Sequence, residues 1–156
     1  MADNRFTWLL RTFDNLDIHQ FYEIIWLRSE VFVVEQDCVY QDIDFKDQKS
    51  WHLIGRYNDL LGAYARILPP GLHYKEAAIG RVVTHPEMRG KGAGKALMKQ
   101  AIAACYELYG KDSDIRIEAQ VYLDRFYRNL GFKVVSDHYL LDGIPHVEML
   151  LPAVGA

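Results

Sequence analysis

Arg89-Gly90-Lys91-Gly92-Ala93-Gly94 stands between an apolar strand pattern, ending in Val82-Val83-Thr84-His85-Pro86, and a helical pattern that opens at Lys95. The order strand, glycine-rich turn, helix points to an α/β or α+β fold, because it sets a helix N-terminus beside the end of a strand. Three glycines in five positions let the backbone approach a ligand. The helix start adds N–H groups without intrahelical partners and the positive end of its dipole. With mobile positive charge from Arg89, Lys91 and Lys95, the stretch reads as a diphosphate cradle. The plain alternative is a strand-to-helix turn that binds nothing.

Spacing separates this loop from two other phosphate loops. A Walker loop closing at Gly94-Lys95 needs glycine where Arg89 stands and Ser or Thr where Ala96 stands. A dinucleotide fingerprint starting at Gly90 needs glycine or alanine where Lys95 stands. The pattern that fits is Arg-x-x-Gly-x-Gly, made by Arg89, Gly92 and Gly94. It resembles the acetyl-CoA motif of the GNAT superfamily of N-acyltransferases.

The 156 residues suit one domain, 1–156, able to bury about two thirds of the surface its unfolded chain exposes. Half the residues are hydrophobic and a quarter charged, as in ordinary globular proteins. A net charge of -3 argues against nucleic acid as a partner, which needs a basic excess. Cys38 and Cys105 form no disulfide framework, and Met1-Ala2-Asp3-Asn4 opens a polar segment without a signal peptide's apolar run. The expected setting is the cytoplasm. No apolar run reaches the roughly 20 residues that cross a bilayer, so no membrane partner is expected.

Phe6 to Phe13 reads as a first strand. Asp17 and Gln20 make a capping-box pattern for a helix with Phe21, Ile24, Leu27 and Val31 on one side, ending near Val34. Residues 35–50 read as an irregular acidic loop, with Glu35, Asp37, Asp42, Asp44 and Asp47 against Lys46 and Lys49. Strands are expected from Trp51 to Tyr57 and Leu61 to Leu68 around an Asn58-Asp59 turn, and from Ala77 to Thr84. A helix follows from Lys95 to Tyr109, stopped by Gly110, and then a strand from Ile115 to Val121. A short helix from Leu123 to Leu130, a strand from Phe132 to Asp137 and a seventh from about His146 to Leu151 complete the reading. This pattern gives a mixed α/β or α+β unit.

Phe126-Tyr127-Arg128-Asn129-Leu130-Gly131-Phe132 carries a second, independent motif about 35 residues beyond the glycine loop. Its Tyr-x-x-x-Gly-Phe arrangement resembles the late GNAT motif, in which the tyrosine hydroxyl points to the CoA sulfur. Further segments resemble the ElaA branch of the superfamily: Arg28-Ser29-Glu30-Val31-Phe32-Val33-Val34-Glu35-Gln36-Asp37-Cys38, Asp42-Ile43-Asp44, Trp51-His52-Leu53-Ile54-Gly55 and Asp142-Gly143-Ile144-Pro145-His146. The resemblance spans nearly the whole chain. It implies a GNAT-type mixed, mainly antiparallel sheet of six to seven strands flanked by helices.

It also implies a chemistry. Backbone N–H groups of Lys91 to Gly94, with Arg89, Gly90 and Lys95, would hold the diphosphate of acetyl-CoA. Val82, Val83 and Thr84 would pair with the pantetheine arm, and a bulge near Val83 would aim an N–H at the thioester carbonyl. Tyr127 would protonate or hydrogen-bond the departing thiolate, its plain alternative being aromatic packing. Gln120 stands where many relatives carry an asparagine that contacts CoA.

The acceptor implied is a small or peptide-borne primary amine, which must lose a proton to attack. Glu35, Asp44, His52 and Glu118 are the base candidates, since Gly80 and Arg81 fill positions where relatives often carry a carboxylate. The acidic loop suits a cationic amine, or it is a solvated surface loop. Tyr40, Trp51 and Tyr64 suit an aromatic wall or the core. Asp124 suits a cap of the short helix. Pairings such as His52 with Cys38, or His146 with Glu148, lack zinc spacing, so no metal is expected. Direct transfer needs no nucleophile such as Cys38. A non-catalytic acyl-CoA sensor is the competing reading; a nucleotide hydrolase is opposed by Lys95-Ala96. The late strands offer an edge for a homodimer.

Overall fold

The structure, a computed structural model, describes residues 5–154. Its strands are β1 (Phe6–Thr12), β2 (Trp51–Tyr57), β3 (Leu60–Leu68), β4 (Ala77–Thr84), β5 (Ile115–Gln120), β6 (Lys133–Val134), β7 (Tyr139–Leu141) and β8 (Ile144–Leu151). They form one eight-stranded sheet in the order β1-β2-β3-β4-β5-β8-β6, with β7 also pairing β8. Every pairing is antiparallel except β4 with β5.

Two helices cover opposite faces. α1 (Ile18–Arg28) starts in a complete capping box, where Asp17 accepts from the Gln20 N–H and the Gln20 side chain accepts from the Asp17 N–H. Its Ile24 and Leu27 pack with Val31, Ile54, Leu61, Tyr64 and Val83. On the other face lies α2 (Ala93–Tyr109), whose Leu97, Met98, Ala101, Ala104 and Cys105 recur at helical spacing. They meet Leu53, Ala63, Ala65, Ile67, Ile79, Ile117, Val147 and Met149. Leu53 and Ile54 therefore separate onto opposite cores, as strand alternation requires. α3 (Asp124–Arg128) is short and follows a 3₁₀ turn at Val121–Leu123.

The differences from the sequence reading are local. The first helix does run to Glu35, but as a π-helix from Ser29 to Glu35, a widened winding that apolar periodicity does not reveal. α2 begins at Ala93, two residues ahead of Lys95. The expected strand from Phe132 to Asp137 forms ladder pairs only at Lys133 and Val134. β7 was not foreseen; it makes a hairpin with β8 through Asp142-Gly143, both at positive φ (52° and 80°), the conformation Asp-Gly favours in a two-residue turn. Asp124 does not cap α3, whose N-cap is Leu123; it pairs instead with Arg128 at 3.2 Å.

Candidate active site

β4 and β5 pair only at Ala77 with Ile115 and Ala78 with Arg116. Beyond that point they part, and a cavity of about 490 Å³ opens between Ala78–Thr84 and Ile117–Gln120. A second irregularity lies on the other edge of β4. Tyr64 faces Val83 while Arg66 faces Gly80, so Arg81 and Val82 together oppose one residue of β3, a β-bulge. Arg81 takes φ of 49°, which L side chains adopt at a cost. The bulge thus sits directly ahead of Val83.

An ion-pair lattice holds that strained residue. Arg81 Nε donates to Asp42 Oδ1 at 2.8 Å and Nη2 to the Asp42 carbonyl at 2.9 Å. Arg28, fully buried on α1, donates Nε to Asp42 Oδ2 and Nη1 to Asp47 Oδ1, both at 2.8 Å. Arg66 grips both Asp44 oxygens at 2.8 Å and shares Asp47 Oδ1 at 2.9 Å. Burial opposes these charges, but the Arg28 and Arg66 guanidiniums hold the Asp47 carboxyl below its ordinary range, and Arg66 does the same for Asp44. Asp42, Asp44 and Asp47 of the acidic loop are therefore tied into ion pairs, whereas Glu35 and Asp37 are exposed. Asp42, Asp44 and Asp47 are neutralised by arginines 14 to 39 positions away in sequence.

Of the residues singled out from the sequence, Val82, Val83, Thr84, Arg89, Gln120 and Tyr127 line the one cavity. Gly90, Lys91, Gly92, Ala93, Gly94 and Lys95 do not line it; they run on from Arg89 into the start of α2. Gly92 is the N-cap at φ of 74°, and the Ala96 N–H closes the first turn on the Gly92 carbonyl at 3.1 Å. The Ala93, Gly94 and Lys95 N–H groups precede that closure, and the first turn carries no acidic side chain. Arg89 pairs with Glu35, and Lys91 Nζ sits 5.5 Å above the Tyr57 ring. Gln120 donates to Gln36 Oε1 at 3.4 Å. Tyr127 stands edge-on to Phe126 and Phe132, and burial pushes its phenol up to about 12.

The sequence signature described as "Acetyltransferase (GNAT) domain" matches residues 18–152. The chain belongs to the GNAT acetyltransferase family. A UPF0039 protein from Synechocystis is 42% identical over 144 residues, covering 92% of this chain and 93% of that protein. Protein ElaA of Escherichia coli is 39% identical over 143 residues, 90% of this chain and 93% of its own, which puts this GNAT chain in the ElaA-like branch. The crystal structure of an acyl-CoA N-acyltransferase from Pseudomonas aeruginosa superimposes with a TM-score of 0.88 at 37% identity, covering 93% of this chain and 98% of that one. Escherichia coli ElaA itself does so at 0.87, with the same identity and coverages.

Within this GNAT frame the base candidates separate by environment. His52 is buried away from the cavity: its Nε2–H donates to the Asp47 carbonyl at 2.9 Å and its Nδ1 accepts from the Tyr64 hydroxyl at 2.7 Å. A backbone carbonyl only accepts, so the network assigns the tautomer. Asp44 lines the cavity but is bound at both oxygens by Arg66, and Glu35 lies outside the lining, paired with Arg89. Glu118 lines the cavity and receives only the Tyr139 hydroxyl among these contacts.

Of the three rings considered for a ligand wall, Tyr40 lines the cavity, whereas Trp51 and Tyr64 pack in the cores. Cys38 also lines it, its Sγ directed at the Asp142 carbonyl at 3.6 Å. No three His, Cys, Asp or Glu side chains of the described residues group as metal ligands. Sequence reasoning gave no role to Arg66, His73 or Tyr74, which line the cavity, nor to Arg28 behind it. No spacing signal marks them, because their partners lie on other elements.

Proposed function

We propose that this GNAT protein transfers the acetyl group of acetyl-CoA to a primary amine by direct attack on the thioester. The observation that carries the reading is the opening between β4 and β5, where a cavity brings the bulged β4 segment together with Tyr127. Acetyl-CoA supplies the activated thioester carbonyl and a thiolate leaving group. The N–H groups at the start of α2 and Arg89 would hold the diphosphate, an anion at a helix N-terminus. Val82, Val83 and Thr84 would align the arm by main-chain contacts, and Gln120 would add an amide.

In the transfer, a new C–N bond forms as the C–S bond breaks. The Val83 N–H, placed just after the bulge, would stabilise the negative charge that develops on the carbonyl oxygen. Tyr127 keeps its proton at neutral pH, so it would donate to the sulfur as the bonding pair leaves with it. The proton lost by the attacking nitrogen would pass to a cavity carboxylate or to water.

A non-catalytic acyl-CoA sensor is the second reading. It is favoured by Asp44, the carboxylate of the acidic loop that lines the cavity, being neutralised by Arg66. Acetyl-CoA-dependent CoA release with polyamines, aminosugars, amino acids and lysine peptides separates the two. Release that requires an amine and yields its amide supports the transferase. Tight acetyl-CoA binding with no transfer across the panel supports the sensor, and failure to bind acetyl-CoA overturns both.

A further inference from the structure

β5 and β8 each have one apolar face against α2, built from Ile115, Ile117 and Ala119, and from Val147 and Met149. Strand alternation puts Arg116, Glu118 and Glu148 on the opposite face. α1 covers that side of the sheet through Ile54, Leu61, Tyr64 and Val83, on β2, β3 and β4, leaving the β5–β8 part to loops. On it, Glu118 and Glu148 are direct cross-strand partners, a like-charge pairing that costs stability. Arg116 relieves only part of this. It makes two 3.0 Å bonds to Glu76 and lies 3.6 Å from Glu148.

Two carboxylates, Glu76 and Glu148, thus share the Arg116 guanidinium, and Glu118 lies across the ladder from Glu148 without reaching it. Of these carboxylates Glu118 lines the cavity, and aromatic residues line it too. Tyr139 donates to Glu118, and Tyr74, which already carries the Arg116 guanidinium 5.5 Å from its ring centroid, lies with its ring 4.3 Å from that of His73, edge to face, both residues lining the cavity with Glu118. Burial, then the Glu118 and Glu148 carboxylates, raise the Tyr74 phenol above its ordinary range, which keeps that ring neutral.

We infer that Glu118, Tyr74 and His73 form a subsite for an organic ammonium group, through which the cavity takes a cationic acceptor. The inference rests on the transferase reading for the word acceptor; the cation site stands on its own residues. A carboxylate beside aromatic faces satisfies an ammonium by charge and by cation–π attraction at once. The part of the cross-strand repulsion that Arg116 leaves is what such a guest would relieve, and an anionic or neutral guest would not.

The test titrates hexylammonium, phenethylammonium, hexanol and hexanoate into the full-length protein, with and without CoA, followed by protein NMR shifts. The expected result is saturable binding of both ammonium probes at the Glu118, Tyr74 and His73 signals, absent for hexanol and hexanoate. Glu118→Gln should weaken the ammonium probes about tenfold, and Glu107→Gln on the exposed side of α2 should not. Equal binding of all four probes, no binding of either ammonium, or unchanged affinity in Glu118→Gln overturns the subsite. Failure of the wild type to bind CoA defeats the donor reading instead, and the titration without CoA still decides the cation site.

Discussion

Arg81 Nε meets Asp42 Oδ1 at 2.8 Å, joining the strained residue of the β4 bulge to the loop after α1. The pair lets a residue at φ of 49° persist, because the carboxylate fixes the side chain that this conformation presents. Glycine adopts that φ freely, whereas a β-branched residue pays at least about 1–2 kcal/mol. Arg81→Gly is therefore expected to keep the bulge and acetyl-CoA affinity within about threefold, and Arg81→Val to weaken binding about tenfold. Calorimetric titration of both variants decides it; equal affinities would show that the bulge does not govern the pocket.

Gly92 and Gly94 separate backbone strain from ligand approach. An added Cβ at Gly92 meets nothing within 4 Å, so the cost of Gly92→Ala is conformational, about 1–2 kcal/mol at its φ of 74°. Gly94 lies inside α2, and its Cβ would meet only Phe126 Cζ at 3.8 Å. Gly94→Ala should raise stability by up to about 1 kcal/mol through helix propensity while weakening CoA binding. Thermal unfolding beside CoA titration checks the pair. A Gly94→Ala protein that binds CoA as well as wild type would remove the loop from the diphosphate site.

Tyr127→Phe should leave acetyl-CoA affinity within about twofold and lower kcat by about tenfold to a hundredfold, the worth of a hydrogen bond to a charged group. Because burial pushes the phenol up to about 12, no loss of rate from its ionisation is expected below about pH 11. Steady-state rates with any amine that the release assay identifies give the numbers. An unchanged kcat would return Tyr127 to a packing role between Phe126 and Phe132.

Acid should weaken the fold in two stages. Burial lowers the His52 pKa below its ordinary value of about 6.5, so below that pH the unfolded chain takes up a proton the native state refuses, and stability falls. Asp44 and Asp47 are held below their ordinary value of about 3.9, so their contribution is present above that pH and is lost as pH falls through the folded pKa values. Urea unfolding between pH 8 and pH 2 measures the first stage and the onset of the second. His52→Gln should flatten the first, and Asp47→Ala should cost about 3–5 kcal/mol at pH 7 by leaving Arg28 and Arg66 short of a buried partner. A pH-independent profile, or an Asp47→Ala protein as stable as wild type, would contradict the lattice as the fold's central polar support.

Local pattern was enough for most of the framework. The capping box at Asp17 and Gln20, the Asn58-Asp59 turn, β4 from Ala77 to Thr84 and the glycine turn into α2 are all set by neighbours within a few positions, and each was legible in the sequence. The two family motifs were legible for the same reason, since each is a short run whose residue order is its signal. The tertiary structure alone decided the rest. Asp42, Asp44 and Asp47 read as free acid along the chain, because charge is screened only by groups near in space, and Arg28, Arg66 and Arg81 arrive from α1, β3 and β4. His52 looked like a base until folding buried it, and Glu118 became exceptional only when β8 set Glu148 opposite it. Sequence order determines which backbone conformations are cheap; which charges face one another depends on strand pairing and helix packing between residues far apart in the chain.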